Sequence, residues 1–435
     1  MSTTCPDESS NAGPSGGQTS KVSPLGRSGT EIVAADNLAK SSQSVQPNAV
    51  CTSHSRYRIP SPRSHMCHYS TPPGFQQLCQ TLASLAPRWR TTRDWPAESL
   101  SLCGQHGIFY ALTGMNPPGR DHPIGSAADQ VETLIELARA DLLTTFVITQ
   151  HLGAIKRIAA SDRLAGDEAT GSRLQTTVLP SLLDGSTIGS VGISHLTTSR
   201  LHLDGPAVVA TEVDHGYRLR GTIPWVTGAP AVGYVVVGAT LDDATQILAL
   251  ISPEDQGVHP GAGANMIAMT ASCTDAIGLR DVFVPEAHVL SGPRENVLAA
   301  AKPTGDAPTG AGGLQTSALA LGLSFAALDY LRDESLRRDS LTPIVDRFGH
   351  EHQQLHEIIL AAANGDPRHD SGTIRSLANG LVARTTAAAM TTAKGAGMMT
   401  DHPVGRWCQQ ALFFLVWSCP QPVAQAHLCE LAGLE

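Results

Sequence analysis

Trp225 and Thr227 stand two residues apart in the run GYRLRGTIPWVTGA (216–229). An indole beside a hydroxyl supplies a wall and a hydrogen-bonding group, which a planar, mostly apolar ring with a polar edge requires of its site. On a strand that spacing puts both side chains on one face. A core indole followed by a structural turn at Thr227-Gly228 fits the same residues. Upstream, GSTIGSVGISHL (185–196) places Ser194 directly before His195. An imidazole there suits acid–base work near neutral pH, and a loop histidine bonded to backbone fits as well. Asp329 and Glu334 are carboxylates in a helical pattern, where charges are usually solvated. Cys419 is either a reactive thiol at a turn or an inert buried one. Glu430 is a further carboxylate near the chain end. Cys51, His54, His65, Cys67 and His68 are metal-ligating types, but their spacing matches no zinc pattern, so no metal site is expected.

The elements that must position these residues follow from the patterning of the 435-residue chain. Residues 1–72 are rich in Ser, Pro, Thr and Gly and read as a disordered extension; translation starting at Met66 is an alternative reading of that stretch. Residues 73–185 carry helical periodicity, with Phe75, Leu78, Leu82 and Leu85 along one face. Asp94 is the expected N-cap ahead of Trp95-Pro96, and Asp141 and Thr144–Thr145 mark an expected break in the long run 127–160. Residues 186–297 hold short β-rich runs separated by turn pairs, an antiparallel β-domain. A Gly/Pro-rich joint (301–313) leads into residues 308–435, which read as a helical bundle. There Ala318, Gly322 and Ala326 recur every four residues and allow close helix packing. The net charge of −9 gives no basic footprint for nucleic acid. No apolar run reads as a bilayer span, no export signal is seen, and nine unpaired-looking cysteines suit a reducing cytoplasm.

Three segments in order, LPSLLDGSTIGSVGIS, GYRLRGTIPWVTGA and LRDVFVPEAHVL, resemble the acyl-CoA dehydrogenase family over residues 71–435. The resemblance implies an α+β multidomain fold: an N-terminal helical domain, a middle antiparallel β-barrel domain and a C-terminal four-helix bundle. It implies FAD as cofactor, a small-molecule substrate such as an acyl-CoA, and a homodimer or homotetramer. Among the site residues it implies, Ser194, Trp225 and Thr227 meet the flavin ring. Ser199 stands near the position of a serine that meets the pyrophosphate. Arg337 falls on an arginine that reaches a neighbouring subunit's FAD. Ser340 and Gly395 fall in the accompanying FAD-contact segments, and Gly397 keeps part of the same Gly-rich turn.

The resemblance also marks a departure. Desaturation needs a carboxylate to take the proton α to the thioester. Ser418 and Gly312 occupy the two positions where family members carry that base. Three readings follow: an oxidoreductase acting on a CH–CH group of an acyl thioester, a flavin-dependent monooxygenase of the same fold, and a non-catalytic subunit partnering an active paralogue.

Overall fold

The computed structural model describes residues 74–90, 92–117, 125–161, 174, 176–196, 205–299, 313–368, 370–419 and 421–432. The calls on the N-terminal extension, with Cys51, His54, His65, Cys67 and His68, lie outside the described residues, as do Ser199 and Gly312.

Among the described residues six helices precede the sheet: α1 (Phe75–Leu85), α2 (Ala97–Gln105), α3 (Ile108–Thr113), α4 (Ala127–Ala140), α5 (Leu142–Ala159) and α6 (Leu179–Leu183). Phe75, Leu78 and Leu82 are buried along α1, as their spacing predicts. Asp94 does not cap α2; Pro96 holds the N-cap position, because a proline needs no partner for a missing N–H there. A capping box between Ser126 and Asp129 starts α4. The expected break falls at Asp141, whose carboxylate accepts from the Leu143 N–H at 3.1 Å and so starts α5.

Eight strands follow: β1 (Gly189–Gly192), β2 (Val208–Val213), β3 (Gly216–Val226), β4 (Tyr234–Thr240), β5 (Gln246–Ile251), β6 (Val258–Pro260), β7 (Asp275–Pro285) and β8 (Val289–Arg294). Their order is β6-β7-β3-β2-β4-β5-β8, with β1 beside β4. Pairing is mostly antiparallel, but β1 and β2 both meet β4 in parallel. Turn signals report only on hairpins between neighbouring strands, so those parallel contacts are invisible to them. Along β5, Ile247, Ala249 and Ile251 enter a core inside the β-domain, while Leu248 and Leu250 enter the helical core. The strand is apolar on both faces because each face meets a separate core.

The C-terminal region contains α7 (Leu314–Ser335), α8 (Thr342–Ala363), α9 (Ser371–Ala393), α10 (Pro403–Phe413) and α11 (Gln421–Ala432). Among the described residues α7 is long and apolar enough to cross a membrane by composition, yet 78% of that window is buried inside the protein. It packs on α4 through Gly322, where a Cβ would stand 2.4 Å from the Ile135 carbonyl oxygen. A hydroxyl–imidazole chain pins the bundle core: the Ser324 hydroxyl contacts His352 Nε2 at 2.7 Å and the Thr385 hydroxyl at 2.8 Å. His352 Nδ1 donates to the Phe348 carbonyl at 2.7 Å. In the N-terminal helices His151 Nε2 donates to the Leu182 carbonyl at 2.9 Å, and its Nδ1 accepts from the Gly189 N–H at 3.0 Å. Burial pushes both imidazoles down from 6.5 to about 4, so both are neutral at pH 7.

Two outcomes are expected. Above pH 6.5 these rings are neutral folded or unfolded. As the pH falls from 6.5 towards 4, the unfolded chain takes up protons the folded one refuses. Urea melts at pH 7.5 and pH 5 should therefore show a loss of about 2 kcal/mol per imidazole, and His352→Asn should remove one such contribution. Gly322→Val should lower stability by roughly 3 kcal/mol in the same assay, because its side chain meets backbone rather than a movable side chain.

Candidate functional site

Trp225 lies one residue before the end of β3, at 57% exposure, an apolar ring that the described residues leave uncovered. Pairing of β3 with β7 slips between Ile223 and Val226. Thr227 opens the turn that follows, with Gly228 at φ 71°. The same-face expectation for Trp225 and Thr227 does not hold. The strand ends between them, so the indole is open and the hydroxyl buried. Thr227 accepts from the Thr274 hydroxyl at 3.2 Å, and Thr274 contacts Ser272 at 2.8 Å, a buried chain of three hydroxyls.

Side chains from the first linker bring this strand end to the bundle. Trp95 packs on the bare backbone of Gly228, where a Cβ would lie 2.6 Å from its ring. Cys273 Sγ donates to the Arg93 carbonyl at 3.2 Å. Arg90 Nη1 donates to the carbonyls of Met399, Thr400 and His402 at 2.9, 3.1 and 3.4 Å. Trp89 Nε1 donates at 3.0 Å to Asp141, a carboxylate whose pKa burial raises. Sequence reading missed this junction; the signal available was three aromatic or cationic residues, Trp89, Arg90 and Trp95, in a chain with 4% aromatics.

Ser194 is exposed in the short turn Ser194–Leu196, next to buried His195. His195 Nε2 bonds to the Gly238 carbonyl at 2.8 Å, so this ring holds backbone. In the bundle, Arg337 is exposed and pairs with Glu334 at 3.2 Å, while Ser340 lies exposed in the turn Asp339–Leu341. Gly395 is also exposed, and a Cβ there would touch nothing, whereas a Cβ at Gly397 would stand 2.7 Å from Met390 Sδ. The close backbone approach in this turn therefore belongs to Gly397. Asp329 and Glu334 are not solvated helix charges. Asp329 binds Arg139 at 2.5 Å and Arg332 at 3.1 Å, and Glu334 binds Arg337 and Arg338.

Ser418 sits half-buried after α10 with φ 43°, the left-handed region. Burial raises the neighbouring Cys419 thiol more than the Arg375 guanidinium lowers it, so Cys419 is a neutral thiol. Glu430 lies within α11. A surface groove of about 390 Å³ lined by Arg218, Arg280, Asp281, Phe283 and His288 lies towards the other end of β3, away from Trp225.

No family model matches the chain. It is 29% identical over 156 residues to benzylmalonyl-CoA dehydrogenase of Aromatoleum aromaticum, covering 34% of this chain and 38% of that protein. The match thus spans well under half of that relative's length. Butyryl-CoA dehydrogenase from Megasphaera elsdenii superposes with a TM-score of 0.66 at 18% identity, covering 83% of this chain and 100% of that one. A glutaryl-coenzyme A dehydrogenase in its glutaryl-CoA complex gives 0.66 at 16% identity, covering 85% and 98%. KijD3 in complex with FMN and a dTDP-linked amino sugar gives 0.61 at 18% identity, covering 85% and 96%. Superposition over most of both chains shows that the chain has the acyl-CoA dehydrogenase-like fold.

Proposed function

We propose that the protein is an FAD-dependent oxidoreductase acting on the CH–CH group of an acyl thioester. The observation that carries this reading is the open indole of Trp225. A ring of that size left uncovered beside buried polar groups suits a planar partner. The bundle side fits the same ligand: the backbone at Gly395 is bare and unobstructed, and Ser340 and Arg337 offer a hydroxyl and a cation on exposed surface. Trp225 would wall the ring, the exposed Ser194 hydroxyl would bond its edge, and Arg337 would meet the pyrophosphate. Thr227 would orient that wall through Thr274, from beneath the surface. FAD, when bound, supplies the two-electron acceptor. The relatives whose names carry a CoA thioester support the substrate class.

The α-proton is the open step for this chain's own residues. A serine hydroxyl at 418 is too weak a base, and the His195 ring is held against backbone. That favours a second reading, a flavin-dependent monooxygenase, which needs no carboxylate.

Titration of the purified protein with FAD should give a bound-flavin absorbance spectrum and quench indole fluorescence. Trp225→Ala should weaken binding about tenfold while leaving the unfolding midpoint unchanged, since the ring is largely exposed. Equal FAD affinity in both proteins would sink the assignment of the wall. In the FAD-loaded protein, Ser418→Glu should bring a gain in bleaching by acyl-CoA without added reductant. Unchanged bleaching in that variant favours the monooxygenase.

A further inference from the structure

The groove of about 390 Å³ towards the far end of β3 from Trp225 is shaped by an irregularity in the sheet. Leu219 pairs with Val282 and Gly221 with Leu279, so Arg220 stands opposite two residues of β7, Arg280 and Asp281, which is a β-bulge. Asp281 takes φ 60°, the left-handed region, to admit the extra residue. Burial along β7 shows the result. Ile277 and Leu279 enter the β-domain core before the bulge, Val282 and Val284 after it, and neither Arg280 nor Asp281 is buried. The turn after β5 clamps this arrangement. The Arg280 N–H donates to the Gly257 carbonyl at 2.9 Å, and a Cβ on Gly257 would stand 2.4 Å from the Arg280 carbonyl oxygen. In a regular ladder, successive residues face opposite ways, so the bulge is what brings a second guanidinium to the groove beside that of Arg218.

Every residue that lines this groove is described. Phe283 is 43% exposed, with the Arg218 guanidinium 5.5 Å from its ring centroid. The two carboxylates of the lining are held by the chain's own donors. Asp281 takes Arg218 Nη1 at 3.0 Å, and Nε and Nη2 of Arg220 at 3.0 and 2.7 Å. Asp255 takes the Ser252 N–H at 2.7 Å. Arg280 is exposed, and neither carboxylate of the groove is bonded to it. A volume of this size lies in the range of small-molecule sites. Guanidinium groups beside an open aromatic ring suit a ligand with a flat apolar part and an acid group. We propose that this groove binds a planar aromatic acid, its ring against Phe283 and its acid group on Arg280 and Arg218. Carboxylate and phosphate both match the guanidinium fork, so an aryl carboxylate and a mononucleotide share this chemistry. The site does not rest on the flavin reading: Arg218 and Trp225 lie about 20 Å apart along β3 at the usual rise of a strand.

Isothermal titration of the full chain tests the site, with 2-naphthoate as the probe. A Kd of about 0.1 mM is expected. The uncharged analogue 2-naphthamide and the ringless acid acetate should each bind at least roughly tenfold more weakly. Arg280→Gln and Phe283→Ala should each weaken 2-naphthoate by about tenfold or more with little change in thermal midpoint, because both side chains are exposed. Arg88→Gln removes an exposed cation elsewhere and should leave the affinity unaltered, as should Trp225→Ala. AMP identifies the acid group. AMP binding that is tighter than that of 2-naphthoate, exceeds that of adenosine and falls in Arg280→Gln assigns a phosphorylated ligand; AMP binding weaker than that of 2-naphthoate assigns a carboxylate. Equal affinity for 2-naphthoate and 2-naphthamide, an affinity that Arg280→Gln leaves intact, or one that Trp225→Ala abolishes overturns the site. Failure of both 2-naphthoate and AMP to bind overturns it as well and leaves the oxidoreductase reading standing.

Discussion

Asp141 is a buried carboxylate, and much of the junction is built around it. It caps α5 through the Leu143 N–H, takes the Thr144 hydroxyl at 2.6 Å, and receives the Trp89 indole N–H. A buried carboxylate left without such donors would be costly, so its partners are held in place as firmly as it is. Fixing Trp89 fixes the linker, and from it Arg90, Arg93 and Trp95 reach the bundle turn, Cys273 and Gly228. The strand end that carries Trp225 is thereby tied, through the linker, to a polar anchor in the N-terminal helices.

The interior polar groups divide by what satisfies them. His151, His195 and His352 bond to backbone or hydroxyl partners and act as struts between elements. Asp329 and Glu334 are consumed by arginines on their own and neighbouring helices. Arg375 and Asn379 both donate to the Phe414 carbonyl and so hold the turn that follows α10.

The turn that carries Ser418 is held by two bonds from Arg375 to the Phe414 and Trp417 carbonyls. The turn is also conformationally marked, with a non-glycine residue in the left-handed region. Such a backbone persists where surrounding contacts over-determine it, and here two carbonyl bonds from Arg375 do so.

Patterning by itself determined the layout. Apolar periodicity marked the buried face of α1, the break at Asp141 and the small-residue contact at Gly322, because burial and close approach restrict which residue types fit. Three motifs in order carried the fold. What sequence could not decide was partnership across distance. A spacing of two could not reveal that β3 ends between Trp225 and Thr227, since the slip arises from pairing with β7. The parallel contacts of β4, the pairing of Asp329 with Arg139 and the three-carbonyl clasp of Arg90 join residues far apart in the chain. Arg375 looked like any helix cation. Only the tertiary structure buries it, because the ends of α9 and α10 must converge before its guanidinium has carbonyls to hold and water to lose.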